Sequence, residues 1–242
     1  MTEFSDNATR FITAYNQIDQ ALRNQCNFGK SMSYTETIRK ASKTNAFVKK
    51  FEDVLVDYGR LRNAIVHSFN ESKVIAEPNL EVVEEYERLA TIICTPPLAL
   101  DTVCNRDINT ITHDTPLCDV IENIYRSDNS NWPVYKNGML IGVANSRKLI
   151  KEIGKKIYEK KNLDEYINNT MIEDAINNFG EDNYYTIANK NVTLDKILNL
   201  FSENRKLSLI IITETGSLLE QPIGVVAIAD IMDVNKILDD YA

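Results

Sequence analysis

The chain has 242 residues, 43% of them hydrophobic and 26% charged, a composition of folded globular proteins with length for two ordinary domains. Its 27 Lys and Arg against 35 Asp and Glu leave a net charge of −8, which excludes a protein that coats nucleic acid through bulk positive charge. No apolar run approaches the ~18 residues that cross a bilayer. With no secretory leader and no CxxC pair among Cys26, Cys94, Cys104 and Cys118, the chain is expected in the cytoplasm, its thiols reduced, with no membrane segment and no metal site.

Residues 1 to about 95 read as helix. The first helix is predicted from Ser5 to Asn27, with Phe11, Ile12, Tyr15, Ile18 and Leu22 at helical spacing and Gly29 as its C-terminal cap. Gly29-Lys30-Ser31 lacks the upstream glycine and strand of a phosphate-binding loop. A shorter helix follows from Ser33 to Ser42, then a long one capped by Asn45 and reaching Phe69. The fourth runs from Asn79 to Ile93 and stops at Thr95-Pro96-Pro97. Short links between four helices predict an up-and-down bundle. Although the chain is acidic, Lys30, Arg39, Lys40, Lys43, Lys49 and Lys50 are accompanied over that stretch by one anion, Glu36.

From about Asp101 the period changes. Trp132-Pro133-Val134-Tyr135, an Asn137-Gly138 turn and Met139–Val143 form a predicted hairpin, followed by a helix from Ser146 to Tyr158. The order recurs: strand Leu209–Thr213, a turn around Gly216, strand Ile223–Ile228 and a helix from Asp230 to Leu238. Pro116–Ile121 lies 77 residues before Thr193–Leu198, an offset that sets Pro133 on Ile210; after the turn Gly142 corresponds to Gly224, an offset of 82. Such a repeat implies two similar α+β units packed together.

This duplicated pattern resembles the tandem CBS domain pair, or Bateman module, over about 140 residues. The resemblance implies adenine-ligand binding in clefts between the repeats. AMP, ADP, ATP or a cyclic dinucleotide would act as regulator, with no cofactor required. The family pattern at the hairpin's end is Gly, apolar, any, Thr or Ser, two of any, Asp, the last accepting hydrogen bonds from the ribose. The first copy, Gly142-Val143-Ala144-Asn145-Ser146-Arg147-Lys148, has Asn for Thr and Lys148 for Asp; Arg147 or Lys148 would instead meet phosphate. The second, Gly224-Val225-Val226-Ala227-Ile228-Ala229-Asp230, keeps Asp230 but has Ala227 for the hydroxyl, so the cleft using Asp230 is the better candidate. Asp230 equally suits a helix cap. Trp132, beside Pro133, is placed either against an adenine ring or in the core.

The long helix carries Arg62-Asn63-Ala64-Ile65-Val66-His67. At 100° per residue, Phe47, Phe51, Val54, Tyr58, Leu61 and Ile65 fall within about 40° of one direction, with Asn63 and His67 nearly opposite. Val56 and Gly59 share that back face, which suggests that a two-fold partner packs there. Arg62 to His67 resembles the signature of the HEPN superfamily, an Arg followed by four to six residues and a His in an all-helical domain. The resemblance covers residues 1–95 and implies a homodimer whose paired motifs cleave RNA without metal. His67 would then move the proton, Arg62 stabilise the phosphorane-like charge, and Asn63 hold phosphate or orient His67. The basic stretch would grip the RNA backbone. Phe69 stands where some toxins of the superfamily carry a modified tyrosine. His113, in Thr112-His113-Asp114-Thr115, reads as a polar turn before a helix begun by Pro116.

The expected architecture is therefore α+β: a HEPN-like helical domain over 1–97, a first CBS repeat over 101–160 and a second over 161–242. The leading functional expectation is an adenine-nucleotide-responsive protein whose helical domain holds a metal-independent RNase site. The alternative is a non-catalytic nucleotide-sensing or dimerisation module.

Overall fold

The computed structural model describes residues 5–29, 31–68, 76–180 and 183–240. Helix α1 (Asp6–Cys26) starts where Ser5 Oγ accepts the Ala8 N–H. It ends at Asn27, whose left-handed φ of 54° lets its N–H bond Arg23 O. Asn tolerates that region, so Asn27 and not Gly29 closes the helix. Helix α2 (Tyr34–Ala41) carries a full capping box between Ser33 and Glu36. Helix α5 (Leu80–Cys94) is capped by Asn79, whose Oδ1 accepts the Val82 N–H.

The long third helix is two helices. α3 (Ala46–Lys50) and α4 (Glu52–Ser68) are separated at Phe51, which departs from helical angles at φ −106° and ψ 16°. Past that break the buried face is broader than one continuous projection allows: Leu55, Val56, Gly59 and Ile65 are all buried. Val56 and Gly59 therefore need no second copy to cover them. A Cβ on Gly59 would lie 2.7 Å from Tyr34 Cδ1, so α2 of the same chain occupies that space. Phe69 lies outside the described residues.

The chain divides into two compact units. Unit 1 comprises Met1–Leu98, Thr193–Ser202 and Ile231–Ala242; unit 2 comprises Ala99–Val192 and Glu203–Asp230. Unit 1 is helical, built from α1 to α5 together with most of α11 (Leu194–Glu203) and α12 (Ile231–Asp240). Its core holds Phe11, Ile18, Leu22, Ile38, Leu55 and Tyr86, all fully buried.

In chain order, unit 2 contains α6 (Ala99–Thr102), β1 (Ile111–Thr112), α7 (Leu117–Arg126), β2 (Asn131–Lys136), β3 (Met139–Asn145), α8 (Ser146–Tyr158), α9 (Leu163–Asn169), α10 (Ile172–Asn177), β4 (Tyr185–Asn189), β5 (Leu209–Thr213) and β6 (Gly224–Ala227). Both sheets have the same plan: β1 runs parallel to β2 and β3 antiparallel, as β4 does to β5 and β6. Positive φ at Asn137 (52°) and Gly138 (81°) supplies the tight turn the dipeptide predicts. The register corrects the repeat alignment by one residue. Pro133 pairs with Val143 and Ile211 with Val225, so with the glycines aligned Pro133 is equivalent to Ile211, not Ile210.

Gly59→Val is expected to destabilise the protein by about 1–3 kcal/mol, because Tyr34 is buried and its hydroxyl is bonded to Tyr86 at 2.9 Å. Urea unfolding checks this; a variant of undiminished stability would show that Tyr34 does not fill that space.

Candidate functional site

Unit 2 contains a cleft of about 820 Å³ between β3 and β4. It is lined by Ile141 and Gly142 of β3, by Tyr185, Thr186 and Ile187 of β4, and by Ile176, Phe179 and Tyr184. Asn177, Gly180, Asn183, and Gly216 and Leu218 of the long second hairpin loop complete the lining. Gly142 is bare for packing reasons, since a Cβ there would meet Ile176 Cδ1 at 2.8 Å. Tyr184 is fixed by donating its hydroxyl to Val143 O at 2.6 Å, and burial pushes its phenol pKa up.

Lys148 is tied to this cleft. Its Nζ donates to Phe179 O at 3.1 Å and lies 5.1 Å from the centre of the Tyr184 ring. The residue standing for the family's aspartate thus sets a cation against two cleft-lining groups. Arg147, one position earlier, is exposed. Trp132 and Pro133 are buried in β2; Trp132 packs in the core with Val134 and Leu149 and donates its indole N–H to Asn129 O at 3.1 Å. Its polar atom is satisfied internally, and it does not line the cleft.

Gly224 begins β6, Ala227 ends it and Asp230 follows three residues later; none of the three lines the cleft. A Cβ on Gly224 would meet Leu100 Cδ1 at 2.9 Å. Asp230 Oδ2 accepts the Ala227 N–H at 2.7 Å, across the 3-10 turn Ile228–Asp230 that leads into α12. In the first copy, Asn145 Oδ1 instead accepts the Lys148 N–H at 3.1 Å. Burial pushes the nearby Cys104 thiol up to about 12, with Arg106 opposing and Asp230 adding to the effect. All four cysteines are free.

In unit 1, Arg62 lays its guanidinium 4.9 Å from the centre of the Tyr15 ring and donates from Nη1 to Asn63 Oδ1 at 3.3 Å. Its Nε is buried without a hydrogen-bond partner among the described residues. His67 belongs to α4, but its side chain lies outside the described residues. His113 is more engaged than a polar turn requires: its Nδ1 lies 3.2 Å from Glu173 Oε2, and Lys136 Nζ reaches the same carboxylate at 2.7 Å. The lysine, aided by His113, holds Glu173 below the usual carboxylate range. Among the described residues no helix is long and apolar enough to cross a membrane.

Of the residues that line the cleft, the sequence motifs contain Ile141, Gly142 and Gly216, while Ile176, Phe179 and residues 184–187 were not singled out. Tyr184-Tyr185-Thr186-Ile187 is rich in strand-forming types, which was the one available signal.

A CBS domain family model matches residues 100–155, from α6 into α8. The comparison with curated proteins gives no match. Among solved structures, the chain is similar to protein MJ1225 from Methanocaldococcus jannaschii at 19% identity, covering 72% of this chain and 57% of that one, with a TM-score of 0.46. It thus spans little more than half of that protein. It is also similar to the CBS domain pair of protein MJ0100 in complex with 5′-methylthioadenosine and S-adenosyl-L-methionine, at 15% identity over 58% of this chain and 97% of that one, TM-score 0.42. A third likeness is the CBS domain of a bacterial CNNM/CorC family Mg2+ transporter in complex with ATP, at 16% identity over 62% and 94%, TM-score 0.44.

The capping bond predicts that Asp230→Ala lowers stability by about 1 kcal/mol, while Asp230→Asn, which keeps an acceptor oxygen, restores most of it. Chemical denaturation of the three proteins decides; an Ala variant as stable as wild type would show that the bond does not hold the turn.

Proposed function

We propose that unit 2 is a CBS-pair module that binds an adenine nucleotide in the β3–β4 cleft and regulates the helical unit. The observation that supports this reading is the set of aromatic and asparagine residues that line the cleft, with the Lys148 ammonium, which is not itself in the lining, bonded to Phe179 O and lying against the Tyr184 ring. An adenine ring would stack on Phe179 or Tyr185, and the Asn177 and Asn183 amides would answer the donors and acceptors of its edge. The Lys148 ammonium would meet phosphate, so the site should favour AMP, ADP, ATP or a cyclic dinucleotide over uncharged adenosine. Occupancy would be read out through α11 and α12, which continue the chain of unit 2 while belonging largely to unit 1.

Thermal unfolding tests this. A nucleotide at 100 times its Kd is expected to stabilise the protein by about 2.7 kcal/mol. Lys148→Met should weaken AMP about tenfold and leave adenosine unchanged. If none of these nucleotides, nor S-adenosylmethionine, shifts the transition, the sensor reading fails.

A second reading is favoured by the Arg62–Asn63 pair, which keeps a guanidinium and an amide side by side with one guanidinium nitrogen unpartnered among the described residues. On this reading unit 1 is a HEPN-like domain that dimerises and cleaves RNA without metal. His67 takes the proton of a ribose 2′-hydroxyl, whose oxygen attacks the adjacent phosphorus. The bond to the 5′-oxygen breaks as that oxygen gains a proton, leaving a cyclic phosphate, while Arg62 and Asn63 hold the charge. Single-stranded RNA should be cut in the presence of chelator, with a loss of about 10²-fold or more in His67→Ala. Cutting that survives this substitution, or needs metal, would leave the non-catalytic sensor as the reading.

A further inference from the structure

Helix α8 buries one side and leaves the other in solvent. Leu149 joins the core around Trp132 and Val134. Glu152, 4% exposed, accepts from Lys156 Nζ at 3.0 Å and from the Tyr166 hydroxyl at 3.2 Å. On the other side Ile150 (69% exposed), Ile157 (59%) and Tyr158 (88%) stand in water. A Cβ on Gly154 would meet no heavy atom within 4 Å, so no neighbouring segment approaches the face there and the face is convex. At 100° per residue, Ile150, Gly154 and Ile157 form a stripe roughly 100° from Leu149, with Arg147, Tyr158, Lys151 and Lys155 on the arc beyond it.

The same face is basic in an acidic chain. Residues 146–161 contain seven cations against two anions, Glu152 and Glu159, while the whole chain has 27 against 35. Two of the seven are engaged, Lys156 with Glu152 and Lys148 with Phe179 O. The other five, Arg147, Lys151, Lys155, Lys160 and Lys161, are exposed, and none forms an ion pair among the described residues. A helix favours cations in its last turn, but Arg147 lies in the first turn of α8, which has no acid. Helix stability therefore gives no reason for a cation at 147.

We propose that α8 docks the protein on an anionic lipid surface, lying in the plane of the membrane rather than crossing it. Ile150, Ile157 and Tyr158 enter the headgroup boundary, and the five cations meet lipid phosphates beside them. Lysine stems can lie along the apolar stripe while their ammonium groups stay in water. A nucleic-acid backbone would answer the cations but leave the isoleucines exposed. A second copy of the same face would set cations against cations. The convex face offers no groove to seat the side chains of a folded partner, whereas lipid conforms to it.

Cosedimentation of the full chain with lipid vesicles tests the proposal. Phosphatidylcholine vesicles containing about one third phosphatidylglycerol should capture the protein, and pure phosphatidylcholine should not. The Lys151→Gln, Lys155→Gln pair should weaken capture roughly thirtyfold, at about 1 kcal/mol for each cation. The Ile150→Ser, Ile157→Ser pair should weaken it about tenfold or more, with thermal unfolding unchanged because both side chains are exposed. In Tyr158→Trp the new indole emission should move to the blue on capture, since the native Trp132 is already buried. The proposal is overturned if phosphatidylcholine alone captures the protein equally, if either pair of substitutions leaves capture unchanged, or if the Tyr158→Trp emission stays put. Single-stranded RNA that binds with the same dependence on the lysines and none on the isoleucines would overturn it as a nucleic-acid contact. A dimer in sedimentation that dissociates in the Ile150→Ser, Ile157→Ser pair would overturn it by giving the face to a second copy.

Discussion

The two small sheets of unit 2 bury one core between them, and the cleft follows from that constraint. A small sheet with an apolar face must bury that face against another element. Tyr135, Leu140 and Val143 from the first hairpin therefore share a buried cluster with Tyr184, Leu209 and Ile211 from the second repeat. Packing them together brings β3 towards β4, and the Tyr184 hydroxyl finds its partner across the repeats on Val143 O. Two backbone groups make the same crossing, Leu140 donating its N–H to Leu218 O at 2.8 Å. The cleft that remains is bordered by Gly142, whose missing side chain makes room for Ile176, and by Gly180, where the chain turns with φ 74°.

A second constraint comes from chain order. In each repeat a helix connects the parallel edge strand to the centre of the sheet, as a parallel pair requires. In the second repeat that helix is α11, which bonds Thr44 and Asn45 at the start of α3. Only four residues separate the end of β4 at Asn189 from the start of α11 at Leu194. A displacement of β4 therefore has little slack chain in which to dissipate. The same stretch of chain thus belongs to the second repeat and to the helical unit.

Much of this was legible in the sequence where local chemistry decides. The first hairpin could be placed because Asn137-Gly138 tolerates the positive φ its turn needs, and because β2, β3 and β5 read as short apolar runs. The parallel edge strands were not legible. β1 has two residues, and β4 is half-buried along its length without alternation, so only its long-range partner defines it as a strand. Gly59 shows another limit: a small residue on a helix indicates that something approaches, but not what. Here the neighbour is Tyr34, 25 residues earlier, and the inferred two-fold contact at that face is unnecessary. Phe51 interrupted the helical projection although no breaker residue stands there, its angles leaving the helical region at φ −106° and ψ 16°.

The incomplete motifs at the ends of β3 and β6 take on a physical meaning. A hydroxyl residue followed three positions later by an acid is also the pattern of a capping box, in which each side chain satisfies the other residue's backbone N–H. Each copy here keeps one half. Asn145 retains the cap acceptor and bonds the Lys148 N–H, while Ala227 has no acceptor and the Asp230 carboxylate reaches back to the Ala227 N–H. Each copy thus shows one of the two reciprocal bonds of such a box. In the first copy the acid's position holds Lys148, and its surroundings suit a cation: an aspartate there would face the Phe179 carbonyl oxygen and the negative face of the Tyr184 ring. In the second copy the acid is engaged by the backbone and lies away from the lined cleft. The first copy thus places a cation where the resembled pattern has an acid, and the second keeps the acid but bonds it to the backbone.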